Sequence, residues 1–291
     1  MQNIFSNPLH IAIAACFAAM IAVDFLNARF FASPKLFLLK RWLRCVFFSI
    51  AIGLLLSALL PEKPVNYMLF CGLLIYIFFE TLLYWININA ASVSECARPR
   101  QYESIDNAWR PERRFIKLKE KIFSLGFTQE AAMVSKIDGT PVIYQTCFDS
   151  SDRKTRLSVA FILHGGVWIT ASSAYSKTDN GDILYTEAIP LAFGLRYPKK
   201  FKVSRFPMIE NPLKIVKIHT KRVKARKDSM SEILSDPMED SADTMHEIEE
   251  YNRKIGLVSA DINSDEYFTE EGKYNIWKDM ILINYFPFMA R

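Results

Sequence analysis

Three charged residues lie within long apolar stretches in the first part of the chain. Asp24 and Glu80 carry carboxylates, and Arg44 carries a guanidinium group long enough to reach either of them. A carboxylate inside a lipid bilayer is unstable unless it is protonated, paired with a cation or able to reach the head groups. We therefore expect an intramembrane ion pair between Arg44 and Asp24 or Glu80. In the alternative, the two carboxylates reach the cytoplasmic head groups separately.

A second group of charges forms a basic stretch in the C-terminal half. Residues 196–227 contain twelve Lys or Arg and one acid, whereas residues 228–250 contain nine Asp or Glu and no base. A cation near an anionic membrane contributes ~1 kcal/mol of attraction. The alternatives are a basic helix neutralised by an adjacent acidic helix, a protein partner, and, least favoured, nucleic acid. The candidates for lipid contact are Lys217, Lys221, Arg222, Lys224 and Arg226.

One short motif is of a kind found in catalytic loops. The sequence HGGVW at residues 164–168 resembles the His-Gly-Gly oxyanion loop of α/β-hydrolases. That fold also needs a G-x-S-x-G nucleophile motif, which the sequence lacks, so a hairpin turn is predicted instead. Cys147 and His164 fall on consecutive predicted strands, where packing and turn roles are favoured over a nucleophile and its base. No motif indicates a metal or cofactor.

The elements that carry these residues begin with three apolar runs, residues 9–26, 42–60 and 67–86. Each has about the 17–25 residues that a bilayer-spanning helix needs. The whole chain of 291 residues is 51% hydrophobic and 23% charged, which excludes a disordered protein. The segregation of its apolar residues excludes a fully soluble one. We predict a membrane anchor of three transmembrane helices in residues 1–90.

The orientation follows from the distribution of basic residues. The segment between the first two runs carries bases and no acid, and a second basic group follows the third run. Positively charged loops stay on the cytoplasmic side. The chain is therefore predicted to be a multi-pass protein of the cell membrane, with its N-terminus outside and its C-terminal domain in the cytoplasm.

The remaining residues predict a linker, 91–110, and a cytoplasmic α+β domain, 111–291. Short strands separated by turn residues indicate an antiparallel meander sheet over residues 129–206. The other predicted parts of the domain are a basic helix at 211–234, an acidic segment at 228–250, and a hairpin with a final helix at 256–291.

The C-terminal pattern resembles that of a known structural unit. Gly256-Leu257-Val258, followed by YFTEEG at residues 267–272, resembles the wing hairpin of winged-helix domains. The resemblance implies a hairpin that packs with the following helix. With its N-terminal spans and Trp277 after this pattern, the chain also resembles uncharacterised bacterial membrane-anchored proteins. The final helix is expected to pack on its own domain, or alternatively to lie in the membrane interface.

These features favour a binding or regulatory domain presented at the inner membrane face, because no catalytic signature is present. The expected partners are membrane lipids, with anionic head groups as the candidate contact, and a candidate protein partner. One alternative is an enzyme acting on a membrane-proximal substrate through an unrecognised site. A deep pocket with two or more convergent polar side chains would favour that alternative. Another alternative is an oligomeric channel or transporter component.

Overall fold

A computed structural model describes residues 8–27, 33–94, 98, 101–137, 140–164, 167–192, 194–226, 228–262 and 264–289. The turn expected at residues 165–166 and the tip of the C-terminal hairpin at residue 263 lie outside the described residues. The chain divides into two compact units, Met1–Ile88 and Asn89–Arg291.

The first unit is built from the long helices α1 (Pro8–Leu26), α2 (Pro34–Leu59) and most of α3 (Val65–Val93), whose last residues from Asn89 onward belong to the second unit. Each contains an 18-residue window with a mean hydropathy of 2.0 to 2.2, so each is long and apolar enough to cross a membrane. This agrees with the three predicted spans. Helix α2 begins at Pro34 rather than at residue 42, because proline suits the first helical position and the basic residues after it remain helical.

Two glycines set the distance between α2 and α3. A Cβ atom on Gly53 would lie 2.8 Å from the Cα of Leu69, and one on Gly72 would lie 2.7 Å from the backbone nitrogen of Gly53. Neither position has room for a side chain. Small residues allow such close backbone contact between apolar helices, which gain most from van der Waals packing.

The second unit contains one eight-stranded mixed sheet. Its strands are β1 (Glu103–Ser104), β2 (Phe127–Ile137), β3 (Thr140–Ser150), β4 (Arg156–His164), β5 (Val167–Thr178), β6 (Ile183–Ala188), β7 (Phe201–Arg205) and β8 (Met230–Ser231). Strands β1 to β6 pair antiparallel in sequence order, as a meander would.

The prediction of a simple meander was wrong for the last two strands. Strand β7 pairs parallel with β6, because residues 189–200 form a connection long enough to return to the start of β6. Strand β8 pairs with the end of β5, which extends beyond Arg156, the first residue of its antiparallel partner β4. The segment that contains β8 had been predicted as helix.

Four helices flank the sheet: α4 (Arg113–Ser124), α5 (Pro212–Lys224), α6 (Pro237–Lys254) and α7 (Glu270–Tyr285). Three of them have N-cap side chains that accept backbone hydrogen bonds, from Asn211, Asp236 and Thr269. Helix α5 ends at Lys224 rather than at residue 234. The chain after it is held to the turn following β5, where Asp179 accepts hydrogen bonds from Ser229 and Ser231.

The main core lies between one face of the sheet and the pair α4 and α5. Its buried side chains include Phe115, Ile122, Phe148, Leu157, Val159, Phe161, Ala174, Ile215 and Val216. Trp109 also belongs to this core, and its indole nitrogen donates a 2.8 Å hydrogen bond to the carbonyl of Phe115. Trp109 and strand β1 both lie in the segment predicted as a linker, so the second half of that segment packs with the domain.

Helix α7 packs on its own domain. Ile276 contacts the cluster formed by Val258, Tyr267 and Phe268, and an antiparallel bridge joins Val258 to Phe268. The guanidinium of Arg205 in β7 lies 3.1 Å from the carboxylate of Asp279 in α7. The segment predicted as a hairpin is thus joined by a single bridge in its described residues, and it packs against the final helix.

Candidate functional site

Two ion pairs join helices within the described residues of the first unit. Nη2 of Arg44 in α2 lies 2.5 Å from Oε1 of Glu80 in α3. Tyr76, one helical turn before Glu80, donates a 3.2 Å hydrogen bond to the second oxygen of the same carboxylate. Nζ of Lys40 lies 2.6 Å from Oδ1 of Asp24, which joins α2 to α1.

The structure thus brings Arg44 to Glu80 and gives Asp24 a different partner. Sequence reasoning missed Lys40, which lies one turn before Arg44 on α2, and Tyr76, which lies one turn before Glu80 on α3. A side chain three or four residues away shares the same helix face, so this spacing was the available signal. The side chain of Glu80 is 10% exposed and that of Asp24 is 51% exposed, which makes Glu80 the more dependent on its partner.

The basic stretch forms a regular row on the outer side of α5. Lys214, Lys217, Lys221 and Lys224 are all exposed, at intervals of three and four residues that place them on one helix face. Ile215, Val216 and other side chains on the opposite side of the helix pack against the sheet. The row therefore points away from the domain.

Helix α4 lies on the same side of the sheet and carries a second group of exposed bases. These are Arg113, Arg114, Lys117 and Lys121. Apolar side chains are exposed at and just beyond the helix: Ile116 is 45% exposed, Phe123 is 44% exposed and Leu125 is 57% exposed. Exposed apolar side chains beside lysine and arginine are typical of a surface that binds a membrane interface. We call the eight exposed bases of α4 and α5 the basic face.

Two of the residues predicted to contact lipid form their polar contacts within the domain instead. Arg222 donates hydrogen bonds to the carbonyls of Tyr185 and Lys202, both at 2.6 Å. Arg226 lies 3.2 Å from the carboxylate of Asp228. Their charges hold β6, β7 and the turn after α5 together, so the basic face does not include them.

The acidic helix α6 does not lie beside α5. Asp240 of α6 contacts Arg156 and Lys177, whose side chains are on the sheet face opposite to α5. Among the described residues, two ion pairs connect the basic and acidic stretches. One joins Arg226 to Asp228, and the other joins Lys200 to Glu247, with the nitrogen and oxygen 2.6 Å apart. The four lysines of the α5 row therefore face outward on the other side of the sheet from α6.

A polar network is buried between α5 and the sheet. The two ring nitrogens of His219 lie 2.9 Å from the hydroxyls of Ser176 and Thr186. Burial, together with the nearby Arg222 guanidinium, lowers the pKa of His219 to about 4. His219 is completely buried, so its imidazole has no access to a substrate and acts as a neutral link between α5 and the sheet.

A second buried network joins the sheet to α6. Both carboxylate oxygens of Asp149 accept hydrogen bonds from the guanidinium of Arg156, at 2.7 and 2.8 Å. The same guanidinium reaches Asp240 of α6 at 3.2 Å. Arg156 is 3% exposed, so its charge is compensated inside the domain rather than by solvent.

Cys147 lies in surroundings that do not favour a reactive nucleophile. Cys147 is buried, and burial raises the pKa of its thiol, so the reactive thiolate is disfavoured at neutral pH. The side chain of His164 lies outside the described part of the chain. Within that part, no group of three or more His, Cys, Asp or Glu side chains could hold a metal ion.

Comparisons of the chain with protein-family models, with curated proteins and with solved structures found no match. Function is therefore argued from the geometry of the charged groups.

Proposed function

We propose that this chain is an integral membrane protein that presents a cytoplasmic binding or regulatory domain at the inner face of the cell membrane. Three helices span the bilayer, with the N-terminus outside. The basic face of α4 and α5 contacts anionic lipid head groups.

The observation that carries the proposal is the alignment of exposed charges with exposed apolar side chains. Four lysines form one row on α5, and α4 adds four bases together with Ile116 and Phe123, on the same side of the sheet. Each base near an anionic surface contributes ~1 kcal/mol. Burial of the apolar side chains at the lipid interface adds a contribution that does not depend on salt.

The orientation is supported by the bases of α2. Lys35, Lys40 and Arg41 lie near its first turns, and α2 has no basic residue in its last turn. Positive charge at that end of the second span favours its location on the cytoplasmic side. The loop that joins α2 to α3, which carries one Glu and one Lys, is then outside.

Lysine protection in nanodiscs tests the lipid contact. The full chain would be reconstituted in phosphatidylcholine alone or in phosphatidylcholine with phosphatidylglycerol, and exposed lysines would be acylated and quantified by mass spectrometry. We expect Lys214, Lys217, Lys221 and Lys224 to react several-fold more slowly in the anionic nanodiscs. High salt should reverse the electrostatic part of this protection.

Lys254 of α6 and Lys278 of α7 are matched internal controls, because they are exposed lysines outside the basic face. Their reaction rates should be the same in both lipids. Equal acylation of the α5 lysines in the two lipids would refute the lipid contact.

A further inference from the structure

A cavity of about 480 Å³ lies on the sheet face opposite to the main core. Strands β3 to β6 form its floor, and α6 lies over it through Thr244, Met245 and Ile248. The volume is within the range of small-molecule sites, roughly 300–1,000 Å³. All of its lining residues belong to the second unit.

The cavity exists because four neighbouring floor positions carry small side chains. Ser158 is the cross-strand partner of Ser173, and Ala160 is the partner of Ala171. On the other face of β4, Leu157, Val159 and Phe161 fill the main core. The small residues thus leave a flat surface bounded by larger side chains on the same strands, among them Ile162.

One end of this floor is closed by aromatic rings. Tyr175 and Tyr185 are cross-strand partners, with ring centroids 6.2 Å apart and ring planes inclined by 18°. Tyr197 continues the group, 5.7 Å from Tyr185. Aromatic rings of a ligand stack favourably on or against such rings, with a gain of ~0.5–1.5 kcal/mol for a pair.

The polar groups of the cavity include the carboxyl of Asp240, whose pKa burial raises to about 6. The oxygens of Asp240 are held by Lys177 at 2.7 Å and by Arg156 at 3.2 Å. Burial raises the pKa of Tyr185, so its hydroxyl is neutral. No histidine lines the cavity among the described residues. Both oxygens of Asp240 are bonded to cations of the domain, so we infer a binding role for these convergent polar side chains.

We propose that this cavity binds a small, planar, uncharged aromatic molecule, which lies flat on the floor of Ser158, Ala160, Ala171 and Ser173 against the tyrosine rings. The serine hydroxyls contact its polar atoms. The buried charges of Arg156 and Asp240 compensate each other. Arg98, which also lines the cavity, donates its hydrogen bonds to the carbonyls of Ile262 and Ser264, so both guanidinium groups already have partners. This site is independent of the lipid contact proposed for the basic face.

The experiment uses 5-fluoroindole as the probe and the full chain in nanodiscs. Binding is measured as the increase in the fluorine transverse relaxation rate of the probe when nanodiscs that contain the protein are compared with empty nanodiscs. Ala171→Phe places a ring on the floor and should reduce this rise by about fivefold or more, because the cavity is filled. The matched control is Ala242→Phe, which adds the same ring to an exposed position of α6 and should keep the wild-type rise.

Two further measurements keep the result decisive. 4,4-Difluorocyclohexanol, which has a puckered ring, should show little binding to the wild-type chain. If Ala171→Phe does not fold, the double variant Ala160→Val and Ala171→Val replaces it, and it should also weaken binding. Equal relaxation with wild-type and filled chains, no binding of 5-fluoroindole, or equal binding of the puckered ring would each overturn the proposal.

Discussion

Arg44 of α2 and Glu80 of α3 lie 2.5 Å apart, nitrogen to oxygen, between two helices that are otherwise mostly apolar. The hydroxyl of Tyr76 lies 3.2 Å from Oε2 of Glu80 and 3.3 Å from Nε of Arg44. The three side chains therefore form one polar cluster, and the loss of one charge affects the others.

Removal of one charge should destabilise the first unit more than removal of both. Arg44→Gln leaves the carboxylate of Glu80 in an apolar environment without its cation, and breaking such a pair costs about 3–5 kcal/mol when it is fully buried. The double variant Arg44→Gln with Glu80→Gln has no unpaired charge and should recover most of the loss. Thermal unfolding in detergent measures both, and a double variant as unstable as Arg44→Gln alone would contradict this prediction.

A C-terminal reporter tests the predicted orientation. Green fluorescent protein fused after Arg291 should be fluorescent, because the positive-inside rule places this end in the cytoplasm. Alkaline phosphatase fused at the same position should be inactive, because it needs the oxidising compartment outside. Comparable amounts of both fusions in the membrane fraction are the control, and the opposite pair of activities would reverse the assigned orientation.

Acid should destabilise the domain through His219. The unfolded chain protonates this imidazole below about pH 6.5, whereas the folded chain keeps it neutral down to pH about 4. Stability from this residue is therefore present above pH 6.5 and falls as the pH decreases from 6.5 to 4. Between pH 7.5 and pH 5 the loss is about 2 kcal/mol.

The comparison variant for this effect is His219→Gln, whose amide can still bond to the hydroxyls of Ser176 and Thr186. It should be less stable than wild type at pH 7.5 but should lose less stability on acidification. Urea unfolding at the two pH values measures the difference. An identical pH dependence of both chains would show that His219 does not have the lowered pKa.

Two basic residues that contact acids of α6 should differ strongly in importance. Arg156→Met leaves Asp149 buried without its cation and leaves Asp240 with Lys177 alone, which costs about 3–5 kcal/mol. Lys200→Met breaks a partly exposed pair with Glu247, which contributes about 1 kcal/mol or less. Urea unfolding of both variants measures the contrast, and similar losses of stability would contradict the assignment of Arg156 as the buried link.

Much of the architecture could be predicted because it depends on local sequence. The apolar runs predict α1 to α3, and the alternation from Arg156 to Ile162 predicts β4. Strand pairing over long distances could not be predicted in this way. The parallel partner of β7 and the short strand β8 depend on where the chain returns, which periodicity does not encode.

The candidate site was predictable only in part, for a related reason. Helical spacing alone places Lys217, Lys221 and Lys224 on one face, yet the inward direction of Arg222 depends on carbonyl groups of β6 and β7 that are remote in sequence. The cavity was missed because small residues at Ser158, Ala160, Ala171 and Ser173 look ordinary in each strand. They become a shared surface only when β4 and β5 are paired in register.

The parallel pairing of β6 with β7 makes the size of the cavity adjustable. The chain between these strands must travel back along the sheet, and Ile189, Ala192, Leu195 and Tyr197 of this connection line the cavity. A tight hairpin would have left that side open. Once this connection is long enough to return to the start of β6, further length does not enter the strand register, so insertions there would resize the chamber while the sheet stays the same. The side wall of the chamber can thus change independently of its floor, which the paired strands fix.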